Sequence, residues 1–213
     1  MTLKVHLRDT ILSTMGDMQA LSMLELGNQT CDKEIRAKTG FHIAKEYWES
    51  LGVSHISVDV NGKNGALNKD LTDHNDFKEM HDSFDIIYNA GTTEHVEPYE
   101  SQYDCFQILH LCCRENGVMF HQVPEVRNRD EKGVFRNHCR YYYSTEFFEM
   151  LCNQCKYEKI HISRRSTNVT AIYRKTKSSV FNLNKEKFLS HISVRNENQK
   201  FNNSDYNSQR NKK

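Results

Sequence analysis

Short apolar runs alternate along the chain with stretches whose apolar residues recur at helical spacing. This pattern predicts a largely parallel sheet covered by helices on both faces. Leu21–Leu26 (LSMLEL), Ile56–Val60 and Phe84–Asn89 (FDIIYN) read as strands, a short strand is expected over Ala66–Leu71, and Gly117–Val123 (GVMFHQV) follows as the fifth. Two closing strands, Tyr157–Ser163 and Asn168–Tyr173, bring the expected sheet to seven. Between them, Phe41–Leu51 puts Phe41, Ala44, Trp48 and Leu51 on one helical stripe. At about 100° per residue, Cys105, Phe106, Ile108, Leu109, Cys112 and Cys113 fall within an arc of roughly 160°, with Asp104, Gln107, His110, Arg114 and Glu115 outside it. Such an arc belongs to a helix packed on a sheet. Ser144 is placed to cap a helix running through Phe147, Phe148 and Leu151, with Glu146 in its positive first turn.

The 213 residues leave room for one domain with a proper core. Residues 1–19 read as an N-terminal helical segment and residues 20–175 as the domain that carries the sheet. Residues 176–213 are a tail of Asn, Lys, Ser and Gln, too poor in apolar surface to offset its ordering entropy. One short amphipathic helix is expected near Lys185–Ile192, and disorder beyond Asn196.

Charge narrows the function. Lys and Arg total 29 against 28 acidic residues, so no excess of positive charge is available for phosphates or an anionic membrane surface. Neither a nucleic-acid nor a membrane partner is expected. No apolar run approaches a membrane span, and the start lacks the apolar stretch of a secretory signal, so a cytoplasmic protein is expected. The seven cysteines are an odd number, several of them on the apolar helix face, and read as reduced thiols.

Open α/β sheets bind ligands outside the carboxyl ends of their strands. Four such ends here carry chemistry. The first closes in ELGNQ (Glu25–Gln29), where the glycine lets the backbone pass close to a ligand and the acid can meet an ammonium, or is merely the start of a turn. The second ends at Asp59 in SVDVNG, a carboxylate suited to both hydroxyls of a ribose. Asp70 in NKDLTD can accept from an exocyclic amine, and serves equally as a helix cap or turn acid. The fourth strand runs into NAGTTEHV, where small residues leave space before Glu94 and His95 arrive together; His95 reads either as a catalytic group or as a packed histidine that fixes the loop.

Taken in order, ELGNQ, SVDVNG, NKDLTD, FDIIYNAGTTEHV and NGVMFHQVP resemble the motif series of class I S-adenosylmethionine-dependent methyltransferases, over about residues 20 to 175. TTEHVEPYES is similar to the stretch after strand four in ubiquinone-pathway and related small-molecule O-methyltransferases, and HCRYYYSTEFFEML to the loop and helix these enzymes place over the substrate. The resemblance implies a Rossmann-like, mostly parallel seven-stranded sheet with helices on both faces. It also implies an enzyme with S-adenosylmethionine as cofactor. Glu25, Gly27, Asn28 and Gln29 would meet the methionine end, Asp59 and Val60 the ribose, Asp70 and Leu71 the adenine, and Asn89 with Ala90 the space beside the sulfonium. The departure lies in the first motif, where the family shows three spaced glycines and this chain has Gly27 followed by Asn28, Gln29 and Thr30.

A sulfonium makes its methyl group electrophilic, so the protein has mainly to align a small-molecule acceptor in line with the S–CH3 bond, exclude water and, for a hydroxyl, remove a proton. A positioned base is worth about 10²- to 10⁴-fold. His95 is the expected catalytic base; Glu94, His121, His138 and Tyr142 are expected around the acceptor, with Tyr141–Tyr143 as an aromatic wall or a packed cluster. No Asn or Asp followed by Pro, Pro and an aromatic residue follows strand four, which disfavours base methylation, and that strand does not end in an acid suited to Mg2+, which favours a metal-independent mechanism. Cys152 and Cys155 form a CxxC with no second pair at ligand spacing. Two alternatives stand beside the enzyme: a methyltransferase-like binding module without catalysis, and a nicotinamide-dependent Rossmann enzyme, for which GNQTCD lacks GxGxxG.

Overall fold

The computed structural model describes residues 2–129 and 138–195. The N-terminal part contains β1 (Thr2–Leu3), α1 (Val5–Met15), β2 (Ser22–Leu26), β3 (Thr30–Cys31), α2 (Lys33–Thr39), α3 (Ala44–Ser50) and β4 (Ser54–Val58). The middle adds α4 (His74–Phe77), β5 (Phe84–Ala90), α5 (Ser101–Cys112), β6 (Cys113–Pro124), β7 (Tyr141–Tyr142) and α6 (Thr145–Cys155). The chain then forms β8 (Glu158–Arg165), β9 (Asn168–Arg174), α7 (Lys185–Ser190) and β10 (Ser193–Val194).

Six strands form the main sheet in the order β4-β2-β5-β6-β9-β8. The first four are parallel, while β9 runs antiparallel to both β6 and β8. The central strands are apolar on both faces, as burial between two helical layers requires. Their residues alternate between two cores. Leu24, Leu26, Ile87 and Met119 pack with Phe106, Phe147 and Phe188 under α5, α6 and α7. Met23, Ile86, Val118 and Phe120 pack with Leu7, Ile11, Ile35 and Trp48 under α1, α2 and α3.

The observed sheet corrects the expected one in its seventh strand and in its mostly parallel character. The segment expected as a strand over Ala66–Leu71 contributes a single bridge between Leu67 and Val58, so the sheet is mixed and six-stranded. The reason is local. A tight turn at Lys63–Gly65, with Asn64 at positive φ, ends just before it, and Asp70 begins a further turn by accepting from the backbone N–H of Thr72 at 3.0 Å. What is left between them is polar and short, with Leu67 41% exposed. The helix expected from Phe41 starts instead at Ala44, because the His42 carbonyl accepts from Cys31 N–H and Ile43 bridges Thr30, which holds the backbone extended. Ser144 caps α6 as its sequence suggests, its Oγ accepting from Phe147 N–H at 3.3 Å.

The tail is polar only on average. Phe181, Leu183, Phe188, Leu189 and Ile192 are buried in the larger core, α7 lies within the expected helical segment, and the hydroxyls of Tyr99 and Tyr103 donate to the carbonyls of Leu189 and Leu183. This packing also accounts for His110. Placed outside the apolar arc of α5, it is nonetheless buried, with Tyr157 Oη 2.8 Å from Nδ1 and the Phe181 ring beside it. The disorder expected beyond Asn196 concerns residues outside the described ones.

Phe188 is fully buried among the rings of Tyr103, Phe106, Phe147 and Phe181. Phe188→Ala is expected to lower unfolding free energy by about 3–5 kcal/mol in urea titration. A change under about 1 kcal/mol would return this segment to the status of a tail.

Candidate functional site

The carboxyl ends of β2, β4 and β5 lie side by side, and the turn after β2 is fastened to both neighbours. Gly27, at a φ of +75° that favours glycine, donates its N–H to the Val58 carbonyl at 2.8 Å. Asn28 N–H approaches Asp59 Oδ2 at 3.4 Å, and Gln29 Nε2 donates to the Ala90 carbonyl at 2.8 Å. In return, Thr92 Oγ1 donates to the Leu26 carbonyl at 2.7 Å. The Asn28 amide also reaches Asn61 Oδ1 at 3.1 Å and the Lys63 carbonyl at 2.8 Å, which ties the turns after β2 and β4 together.

Glu25 lies beneath this turn and is 1% exposed. Its carboxylate accepts from Gln29 N–H at 2.7 Å and stands 3.2 Å from His55 Nε2 on β4. Asp59 is half-buried and accepts from Asn61 N–H at 3.0 Å, which with Asn28 leaves part of its lone-pair capacity open. Val60 follows it in the turn, also half-buried. Asp70 bonds within its own turn, to the N–H and hydroxyl of Thr72 at 3.0 and 2.8 Å, and Leu71 is a core residue.

Asn89 is fully buried at the end of β5, with Nδ2 on Thr93 Oγ1 at 2.9 Å and His121 Nδ1 at 3.0 Å. His121, expected at the acceptor, is instead held inside the core. Its Nε2 meets Tyr173 Oη at 2.9 Å, the rings of Phe106 and Tyr173 stack on it, and burial lowers its pKa to about 3. Tyr142 likewise is fully buried in β7, opposite Ser193.

The loop after β5 is braced by a residue the sequence reading passed over. Gln102 is fully buried in the first turn of α5, donates from Nε2 to the carbonyls of Thr93 and Val96 at 2.8 and 2.6 Å, and accepts from the Tyr143 hydroxyl at 2.6 Å. It stands four residues before Phe106, so extending the helical wheel by one turn would have found it. The brace fixes the loop on which Glu94 and His95 sit.

Glu94, His95 and His138 are brought together: one ligand-type atom from each lies within 4.8 Å of the other two, and the two imidazole centroids are 5.0 Å apart. Glu94 is 1% exposed, and among the described residues its Oε2 has no hydrogen-bond partner. Burial raises the Glu94 pKa to about 8, while burial and then His138 lower that of His95 to about 3. Burial also lowers the pKa of His138. At neutral pH the carboxyl holds its proton and His95 is without a second one.

No family model and no curated protein matches the sequence. Solved structures do match the fold. An N1-methyltransferase of Burkholderia thailandensis, crystallised with 1,6-didemethyltoxoflavin and S-adenosylhomocysteine, is 12% identical over 79% of this chain and 76% of its own, with a TM-score of 0.52. An O-methyltransferase family protein of the same organism is 8% identical over 78% of this chain and 55% of its own, with a TM-score of 0.52. A Pyrococcus horikoshii OT3 protein is 10% identical over 80% of this chain and 88% of its own, with a TM-score of 0.53. The chain has the α/β fold of class I methyltransferases. Within it, β2, β4, β5 and β6 correspond to the first, second, fourth and fifth strands read from the sequence, and no helix among the described residues is long and apolar enough to cross a membrane.

The pKa displacements fix a pH dependence. Unfolded Glu94 would titrate near 4.3, but folded it keeps its proton to about 8. The folded chain therefore holds the extra proton across that window, and stability falls as pH rises through it, by at most about 1.4 kcal/mol per pH unit. His95 and His121 act at the acid side: unfolded they gain a proton below about 6.5 that the fold refuses down to about 3, so stability falls as pH drops. Glu94→Gln is expected to abolish the loss between pH 6.5 and 8 and to keep the acid-side loss, read by urea unfolding in metal-free buffer. Parallel profiles for the two proteins would assign the alkaline loss elsewhere.

Proposed function

We propose that the protein is an enzyme that transfers a methyl group from S-adenosylmethionine to a small-molecule acceptor, with a hydroxyl as the favoured nucleophile. The observation that carries this reading is the fastened edge of the sheet, where the turn after β2 is tied to the ends of β4 and β5 beside the half-buried Asp59 carboxylate. The fold adds support, since a solved relative in fold was crystallised with S-adenosylhomocysteine. The near-zero net charge suits a small acceptor better than a polyanion.

In this reading Gly27, Asn28 and Gln29 present the turn to the methionine end of the cofactor, and Asp59 with Val60 takes the ribose. Asp70 and Leu71 border the adenine, and Ala90 flanks the sulfonium. Glu25 and Asn89 act from beneath, holding the turn and the end of β5 through the bonds already described. The cofactor supplies the electrophilic methyl; the acceptor oxygen forms its bond to that carbon as the S–CH3 bond breaks, and S-adenosylhomocysteine leaves. The acceptor's proton departs at the Glu94, His95 and His138 end, with His95 placed to take it.

Calorimetry with S-adenosylmethionine tests the cofactor, and incubation of a metabolite extract with methyl-labelled cofactor tests transfer. Asp59→Ala is expected to weaken cofactor binding by more than about 1 kcal/mol, because a hydrogen bond to a charged group is worth about 1.5–3 kcal/mol. Unchanged affinity would remove Asp59 from the site. His95→Ala is expected to lower turnover at least about 10²-fold with cofactor affinity within twofold of the parent; a loss of folding instead would make His95 a packing residue. The glycine-poor turn favours a second reading, a binding module without catalysis, which takes precedence if the purified chain binds no S-adenosylmethionine.

A further inference from the structure

We propose that Glu94, His95 and His138 form a binding site for one divalent transition-metal cation, at the acceptor end of the site described above. The location beside an acceptor rests on the methyltransferase reading; the binding itself does not. Among the described residues these are the one group of three His, Cys, Asp or Glu side chains whose ligand atoms lie within 4.8 Å of one another. Tetrahedral ligands at the usual metal–nitrogen and metal–oxygen lengths stand about 3.3 Å apart. Closing the widest pair to that spacing needs a shift of at most about 1.5 Å. His138 is exposed and comes from a different segment than the other two.

A second observation points the same way. Glu94 is buried to 1% exposure with Oε2 unpartnered among the described residues, an arrangement that costs free energy unless something occupies the oxygen. One Glu94 oxygen lies within 4.8 Å of a nitrogen of each of two imidazoles, one of them also buried, and a neutral imidazole is a good metal ligand. Two nitrogens and one carboxylate select Zn2+, Fe2+, Co2+ or Ni2+ over Mg2+, which wants a shell of oxygens. Three protein ligands leave a coordination position for a water or an acceptor oxygen. The loop that bears Glu94 and His95 is already held from behind by Gln102, which is what a ligand pair needs in order to keep its geometry. Cys139 adjoins His138 but is buried, with its thiol 3.2 Å from the Tyr141 carbonyl and its pKa raised by burial, so it is not a ready thiolate.

With a cation in place, His95 is a ligand rather than a base. The acceptor oxygen would then lose its proton to water under the field of the metal, and the imidazole need not be basic. With the cation bound, this replaces the base role given to His95 in the proposed function; methyl transfer itself does not depend on it.

The test is calorimetric titration of the full chain with Zn2+, after treatment with a chelator and dialysis, with Mg2+ as the comparison cation. One site per chain with micromolar or tighter affinity for Zn2+, and at least tenfold weaker binding by both His138→Ala and Glu94→Gln, is the expected result. His138 is exposed, so its variant should fold, and the thermal unfolding of both variants is recorded alongside. Binding of S-adenosylmethionine, measured on the same metal-free preparations, is expected to be unchanged in His138→Ala; its absence in the parent would defeat the methyltransferase reading and leave the metal result standing. No stoichiometric Zn2+ binding by the parent overturns the proposal. So does binding that both variants retain, which would place the ion elsewhere, as on Cys152 and Cys155.

Discussion

Burying a carboxylate costs several kcal/mol unless partners replace its water, and Glu25 is buried in a strand flanked by parallel neighbours on both sides. Its partners come from two directions: the backbone N–H of Gln29, four residues on, and the imidazole of His55 on β4. To satisfy the first, the chain must fold back over the tip of its own strand. That return carries Gln29 to where its side-chain amide reaches the end of β5, and Asn28 to where its N–H meets Asp59. A turn of spaced glycines would bring the backbone close to a ligand, but it has no side chain with which to make the bond to Ala90. In this glycine-poor turn the amide side chains of Asn28 and Gln29 fasten the backbone to the turn after β4 and the end of β5.

Much of this was legible because the periodicities are strong. The continuous apolar runs of β2, β5 and β6, buried on both faces, and the arc of α5 depend on single elements and follow from residue type alone. The third strand was not, because Ala66–Leu71 has a strand's apolar ends but is bracketed by two turns, one closed by the Ala66 N–H on the Lys63 carbonyl and the other by the Thr72 N–H on the Asp70 side chain. The tail was not, because its apolar residues are few and spaced, and composition averages them away. Yet five of them enter the core, since α5 and α6 leave a groove that Phe181 and Phe188 close.

The histidines show where site reading reaches its limit. His121 lies within β6 and His95 in the turn after β5, yet residue type alone offers both as candidate bases. What separates them is partnership across the fold: His121 has Asn89 and Tyr173 on its two nitrogens, with rings on both faces, and it serves the core. His95 meets His138, which lies more than forty residues away in a segment expected at the acceptor but with no sequence feature that pairs it with His95. Pairings of that kind are properties of the loops' mutual placement, fixed here by Gln102 and the end of β5 rather than by any local motif.

The charge of the acceptor end follows from those placements. Burial moves Glu94 and His95 in opposite directions, so that at neutral pH both are uncharged despite being an acid and a base side by side. A cationic sulfonium approaching such an end meets no imidazolium to repel it and no carboxylate to trap it. A divalent cation alters this balance by less than its formal charge, because ligation requires Glu94 to release its proton and the site gains one positive charge in place of two. In the metal site proposed above, the buried acid would serve as the counter-charge, neutral without a cation and ionised with one.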